Sequence, residues 1–268
     1  MERKIIQSNG VEIGYRDVGK GDTTLFFVHG SYVDQTYWDK QVNFFKDKYR
    51  VITIDLPGHG TSGKHREQWS IEGFGNDVVN IVRELKLKNV ILIGHSLGGS
   101  IILFAAVKDP SSIIGVIGID NFKMAGTPLP KEYQDQVETI KQNLQSNFAQ
   151  TNEQYARMAL LTPQTPPAVS DRVVKDYHNA YKPMGIQTTL EVFDFYKKER
   201  ELLPKLGFKL FLINVDYIPT LEEPLKRYPA KGYKLFHMNG TSHYPMLENP
   251  DMLNQLLTRA VDEILGGK

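Results

Sequence analysis

The run Val90-Ile91-Leu92-Ile93-Gly94-His95-Ser96-Leu97-Gly98-Gly99 constrains this chain more tightly than any other. Its first four residues are apolar without alternation, which suits a strand covered on both faces, as in a parallel sheet. A helical pattern follows from Ile101 to Lys108. Only Gly-x-Ser-x-Gly separates strand from helix, so the chain must turn sharply. Such a turn strains the middle residue and lifts its hydroxyl above the sheet edge. Gly94 and Gly98 carry no side chains to collide where strand and helix pack close. The new helix also brings backbone N–H groups and a partial positive charge to Ser96.

The surrounding sequence repeats the alternation. Leu25-Phe26-Phe27-Val28, Val51-Ile52-Thr53-Ile54, Ile113 to Ile119, Leu210-Phe211-Leu212-Ile213 and Tyr233-Lys234-Leu235-Phe236 read as further strands. Ile71, Phe74, Val78, Val82 and Leu85 recur at helical spacing behind Ser70, an N-cap residue type. Leu253, Leu256, Leu257, Ala260, Val261 and Ile264 mark a closing helix. At the start, Ile5 to Ser8 and Val11 to Tyr15 flank Asn9-Gly10, a hairpin turn. Alternation of this kind predicts an α/β fold with a mostly parallel twisted sheet flanked by helices.

One stretch breaks the rhythm. From about Lys123 to Lys205 no buried strand is legible. Tyr133, Val137, Ile140, Leu144 and Phe148 predict one amphipathic helix, and Pro163, Pro166 and Pro167 precede more helical pattern. We read 123–205 as a helical cap inserted after the sixth strand, with 1–122 and 206–268 forming the core domain. Most of its Met and aromatic residues should pack the cap itself, and a minority should line a pocket.

Composition narrows the partners. With 32 basic and 31 acidic residues, nothing suggests a nucleic-acid surface. The chain has no cysteine, which excludes a disulfide scaffold, a zinc ribbon and a thiol nucleophile. Residues 1–6 are charged rather than signal-like, and no apolar run is long enough to span a bilayer. A cytoplasmic protein is the default expectation.

Three further motifs join the first. Val28-His29-Gly30-Ser31 follows the first buried strand, and Asp55-Leu56-Pro57-Gly58-His59-Gly60-Thr61-Ser62 follows the next. Asn239-Gly240-Thr241-Ser242-His243-Tyr244-Pro245 precedes the closing helix. In this order and spacing the chain resembles the α/β-hydrolase family, from about residue 10 to the C-terminus and excepting the insert. The resemblance implies Ser96 as nucleophile, His243 as base, and an oxyanion hole from the backbone N–H groups of Ser31 and Leu97. His29 and His59 should brace their Gly-rich turns, and His95 should point away from Ser96. His65, His178 and His237 have no supporting context.

The acid of the triad has two candidates. Asp216 follows the strand ending at Ile213 and precedes His243 by 27 positions, the family's usual separation. Asp120 ends the strand Ile113 to Ile119, where some members, haloalkane dehalogenases among them, carry the acid. Ile213-Asn214-Val215-Asp216 lacks the glycine that commonly precedes the acid. Asp216 is the preferred assignment, with Asp120 as the alternative.

Haloalkane dehalogenases and epoxide hydrolases carry an aspartate where this chain has Ser96. The pattern therefore points to acyl transfer on a small to medium carboxylic ester, with no metal or organic cofactor required. Two other classes stay open: a ligand-binding receptor with a slow triad, and cofactor-free lyase or perhydrolase chemistry.

Overall fold

In this computed structural model, which describes residues 3–266, eight strands form one sheet. They are β1 (Lys4–Ser8), β2 (Val11–Val18), β3 (Thr24–Val28), β4 (Arg50–Ile54), β5 (Val90–His95), β6 (Ile113–Ile119), β7 (Leu210–Val215) and β8 (Tyr233–Met238). Their order is β1-β2-β4-β3-β5-β6-β7-β8. β1 and β2 pair antiparallel, as does β2 with β4, and every later pairing is parallel. The apolar runs explain the centre: β3, β5 and β7 are buried throughout. At the edge, β8 buries Phe236 and Met238 and exposes His237 between them, as a one-faced strand should.

The helices follow from the spacings. α1 spans Asp39–Phe45, α2 Ile71–Glu84 and α3 Leu97–Lys108. Ser70 caps α2 by accepting the Gly73 N–H at 3.0 Å. Of the flanking helices, α3 is apolar nearly all round and is buried against the sheet.

Between β6 and β7 lie α4 (Lys131–Ser146), α5 (Phe148–Tyr155), a π-helical turn (Ala156–Leu160), α6 (Pro167–His178), α7 (Lys182–Asp194) and α8 (Tyr196–Leu202). The insert is thus helical, but its first helix is not continuous to Phe148. The chain leaves helical geometry at Asn147 (φ −138°), and Phe148 opens α5. The periodicity carries straight through this break, so residue spacing alone does not reveal it. Phe148, Tyr177, Met184 and Phe195 are buried, whereas Met158 is 86% exposed and Tyr133 lies on the surface.

Core and insert are tied by directed bonds as well as packing. Tyr37 Oη donates to Asp176 at 2.7 Å, and the Arg172 guanidinium lies 4.0 Å over the Tyr37 ring. The Ile71 N–H donates to Glu191 at 2.7 Å. After β7 come α9 (Glu222–Arg227), α10 (Pro245–Glu248) and the closing α11 (Pro250–Gly266). Among the described residues no helix is long and apolar enough to cross a membrane.

Candidate active site

The sharp turn after β5 has the conformation its residue types require. Ser96 sits at φ 52°, ψ −122°, a region that non-glycine residues avoid. Its glycines serve close approach. A Cβ on Gly94 would lie 2.3 Å from the Gly98 carbonyl oxygen, and one on Gly98 would lie 2.4 Å from that of Val28. Helix α3 begins at Leu97 directly behind Ser96, so its unpaired N–H groups gather there. Ser96 is only partly buried, leaving the hydroxyl approachable.

His243 is brought to this place by the loop between β8 and α10. Its ring is buried, and Nδ1 meets Asp120 Oδ2 at 2.5 Å. This is a correction to the preferred sequence reading. Asp216 pairs instead with His237 at 2.9 Å, on the protein surface. The physical reason lies in the strand ends. Asp120 occupies a left-handed position (φ 46°) right after β6, next to β5, and its N–H donates to Ile213 O at 2.9 Å. That bend turns its carboxylate inward. Asp216 continues beyond β7, anchored through its N–H to Met238 O at 3.0 Å.

Asp120 is held from several sides. Its Oδ1 accepts the Val215 N–H at 3.1 Å and lies 2.7 Å from Lys123 Nζ. Burial by itself would raise its pKa, but the hydrogen bond and charge of His243, followed by those of Lys123, outweigh burial and hold it below the usual carboxylate range. With Asp120 an acceptor, His243 Nδ1 carries the proton and Nε2 presents a lone pair. That Nε2 is buried and makes no hydrogen bond, so the resting arrangement leaves Ser96 and His243 unjoined. Contacts of this kind are often loose before substrate binds.

The backbone of His243 is fixed independently of its ring. Its carbonyl accepts from His95 Nε2 at 2.8 Å, and its N–H donates to Leu160 O of the π-helical turn at 3.1 Å. His95 does not point wholly away from the site: its ring centroid is 4.5 Å from that of His243. Burial first, and then the facing His243 charge, hold His95 well below the usual histidine range, so it stays neutral.

The loop after β3 follows its expected pattern. His29 Nδ1–H donates to Gly30 O at 2.8 Å while Nε2 accepts the Leu56 N–H at 3.0 Å, bridging two turns. His59 is buried, which lowers its pKa to about 3, and its Nδ1–H donates to Pro57 O at 3.1 Å. Asp55 ties the Gly-rich turn to this loop, accepting from Gln35 N at 2.9 Å and Thr61 N at 2.9 Å. Gly30 is packed so closely that a Cβ there would lie 3.1 Å from Ser96 Cβ. Ser31 and Leu97 therefore flank the nucleophile turn from two elements, with Ser31 part-exposed and Leu97 buried. Tyr32, next in chain, donates from Oη to Gly185 O of α7 at 3.0 Å.

Several residues at the site were invisible to motif reading. Lys123 reaches Asp120, and Asn121 Nδ2 donates to the Ser96 carbonyl. Asn214, fully buried, accepts the Asn121 N–H at 3.2 Å and donates to Asn121 O at 3.0 Å. The missing glycine before Asp216 was the available signal, since a buried Asn at a strand end must be satisfied by a neighbouring loop. Among the described residues no cluster of three or more His, Asp or Glu could hold a metal ion.

Comparison with known proteins agrees with this fold. A family model described as the alpha/beta hydrolase fold matches residues 23–160. A putative esterase/lipase of Haemophilus influenzae is 26% identical over 247 residues, covering 89% of this chain and 83% of that protein. The bifunctional esterase/perhydrolase of Acinetobacter calcoaceticus is 31% identical over 109 residues, and the match spans 40% of each chain. Among solved structures, a thermophilic esterase from Thermogutta terrifontis superposes with a TM-score of 0.81 at 20% identity, over 98% of this chain and 99% of that one.

Proposed function

Since the chain belongs to the alpha/beta hydrolase fold family, we propose that it is a serine hydrolase acting on small to medium carboxylic esters through Ser96, His243 and Asp120. The observation that carries this reading is the buried His243, with Nδ1 on a carboxylate at 2.5 Å and Nε2 without a hydrogen bond, its ring 4.5 Å from that of His95, which immediately precedes a serine held at φ 52°. The names of the esterase relatives support the substrate class.

The steps follow from the groups present. Ser96 Oγ attacks the ester carbonyl carbon while His243 Nε2 takes the hydroxyl proton. The carbonyl π pair moves onto oxygen, facing the backbone N–H groups of Ser31 and Leu97 at the head of α3. Donors of this kind stabilise such an oxyanion by ~3–4 kcal/mol each. The C–O bond then breaks, and the alcohol leaves with the proton from His243. Water repeats the sequence on the acyl-enzyme and releases the acid. Asp120 stays ionised throughout, fixing the imidazole tautomer and stabilising the imidazolium. Residues 123–205 act as a lid that excludes water and selects the acyl group, an assignment supported by the Leu160–His243 and Gly185–Tyr32 bonds.

A panel of p-nitrophenyl esters from acetate upward tests the reading, with Ser96→Ala as control. The expected result is sustained turnover that falls by about 10⁵–10⁶ in the variant. A burst without turnover would instead indicate a receptor, and full activity in Ser96→Ala would remove the nucleophile.

A further inference from the structure

Lys123 is an unusual neighbour for a triad acid. It sits in the turn after β6, its side chain only 12% exposed, with Nζ 2.7 Å from Asp120 Oδ1. The same ammonium donates to Val215 O at 2.8 Å and lies 4.3 Å over the Tyr217 ring. A lysine is a costly choice here: its ammonium loses hydration on burial, and only the Asp120 carboxylate, the Val215 carbonyl and the Tyr217 ring compensate it. Burial indeed pulls its pKa down, and the Asp120 charge offsets this only in part, with Asp216 contributing further.

We propose that Lys123 is a positioning residue for the triad: it occupies one oxygen of Asp120, aims the other at His243, and places a positive charge that opposes protonation of the His243 ring. This rests on the serine-hydrolase reading for its effect on turnover, but its electrostatic part does not. With Lys123 in place, part of the Asp120 charge that faces the ring is cancelled. Other groups facing the pair do not supply that charge. His95 at the end of β5 stays neutral. Burial keeps the phenols of Tyr217 after β7, Tyr244 beside His243 and Tyr155 of α5 un-ionised. Asp216 is the remaining charged neighbour, and it acts on Lys123 with the opposite sign.

The test measures two quantities in the wild type and in Lys123→Met, Lys123→Gln and Lys123→Arg. One is the NMR titration midpoint of the His243 ring, which needs no substrate, and the other is the acidic limb of kcat/KM on p-nitrophenyl acetate. Both neutral variants should move midpoint and limb to higher pH. Plateau turnover should fall about tenfold in each, and Lys123→Arg should restore the limb. If Lys123→Met does not fold, Lys123→Gln decides alone, since it keeps a donor and loses only the charge. A midpoint that stays put or moves down in a folded neutral variant overturns the proposal. Should the wild type hydrolyse no ester, the function reading fails, and the NMR midpoint still decides the role of Lys123.

Discussion

Replacing Asp120 by asparagine changes one atom in a site where every atom has a partner. Oδ2 faces His243 Nδ1, while Oδ1 faces the Val215 N–H and Lys123 Nζ. An amide offers one acceptor and one donor, so either orientation sets an NH₂ group against a donor. If the NH₂ faces His243, the ring must switch tautomer, placing its proton on Nε2, where it can no longer accept one from Ser96. If the NH₂ faces Lys123 and Val215, the Val215 N–H loses its acceptor and Lys123 keeps only the Val215 carbonyl. Substitutions of this type cost about 10⁴ in turnover, or about 5 kcal/mol of barrier. Asp216→Asn should cost less than about fivefold, because its exposed contact with His237 lies apart from His243 and pairs of this kind contribute only ~0.2–1 kcal/mol. Both variants would be assayed on p-nitrophenyl acetate, with circular dichroism reporting an intact fold. A larger loss from Asp216→Asn than from Asp120→Asn would refute the reasoning.

Further outcomes follow from the packing. Gly98→Ala would put a Cβ 2.4 Å from Val28 O and 2.7 Å from His29 O, both backbone atoms. It should destabilise by about 1–3 kcal/mol, visible as a lower Tm, and reduce kcat at least tenfold by displacing the Ser31 loop. Arg66→Met strands the buried Asp77 carboxylate, whose ion pair with Arg66 is 2.8 Å long, and should cost about 3 kcal/mol in denaturant melts while sparing the site. Burial raises the Glu199 carboxyl to about 7 despite the Gly126 N–H bond. A folded-state pKa above the unfolded value means that the folded chain holds this proton longer. Its stabilising contribution is therefore complete below about pH 4.5 and is lost as pH rises to about 7, by about 3 kcal/mol. Glu199→Gln should flatten that decline in thermal melts between pH 4.5 and 8, and an unchanged slope would contradict the burial argument.

The fold was legible because its signals are local. Unbroken apolar runs become β3 to β7, Asn9-Gly10 becomes the hairpin turn, and Ser70 caps α2. The placement of Ser96 in a strained turn and of His243 in the loop after β8 was legible for the same reason, each carried by a short motif with a steric or positional demand. The carboxylate partner of His243 was not. Asp120 and Asp216 both follow parallel strands, and which carboxylate reaches His243 depends on a left-handed bend at Asp120 that its residue type does not announce. Lys123, Asn121 and Asn214 escaped because their roles exist only once β6 and β7 lie side by side. The break at Asn147 escaped because helical periodicity persists across it.

The most direct test of the central claim is peptide mass spectrometry after stoichiometric fluorophosphonate treatment. An activated hydroxyl attacks phosphorus far faster than an ordinary one, so one adduct is predicted, on Ser96. Labelling should slow by about 10⁴ in Asp120→Asn. An adduct on another serine, or an unmodified Ser96 in folded protein, would contradict the account.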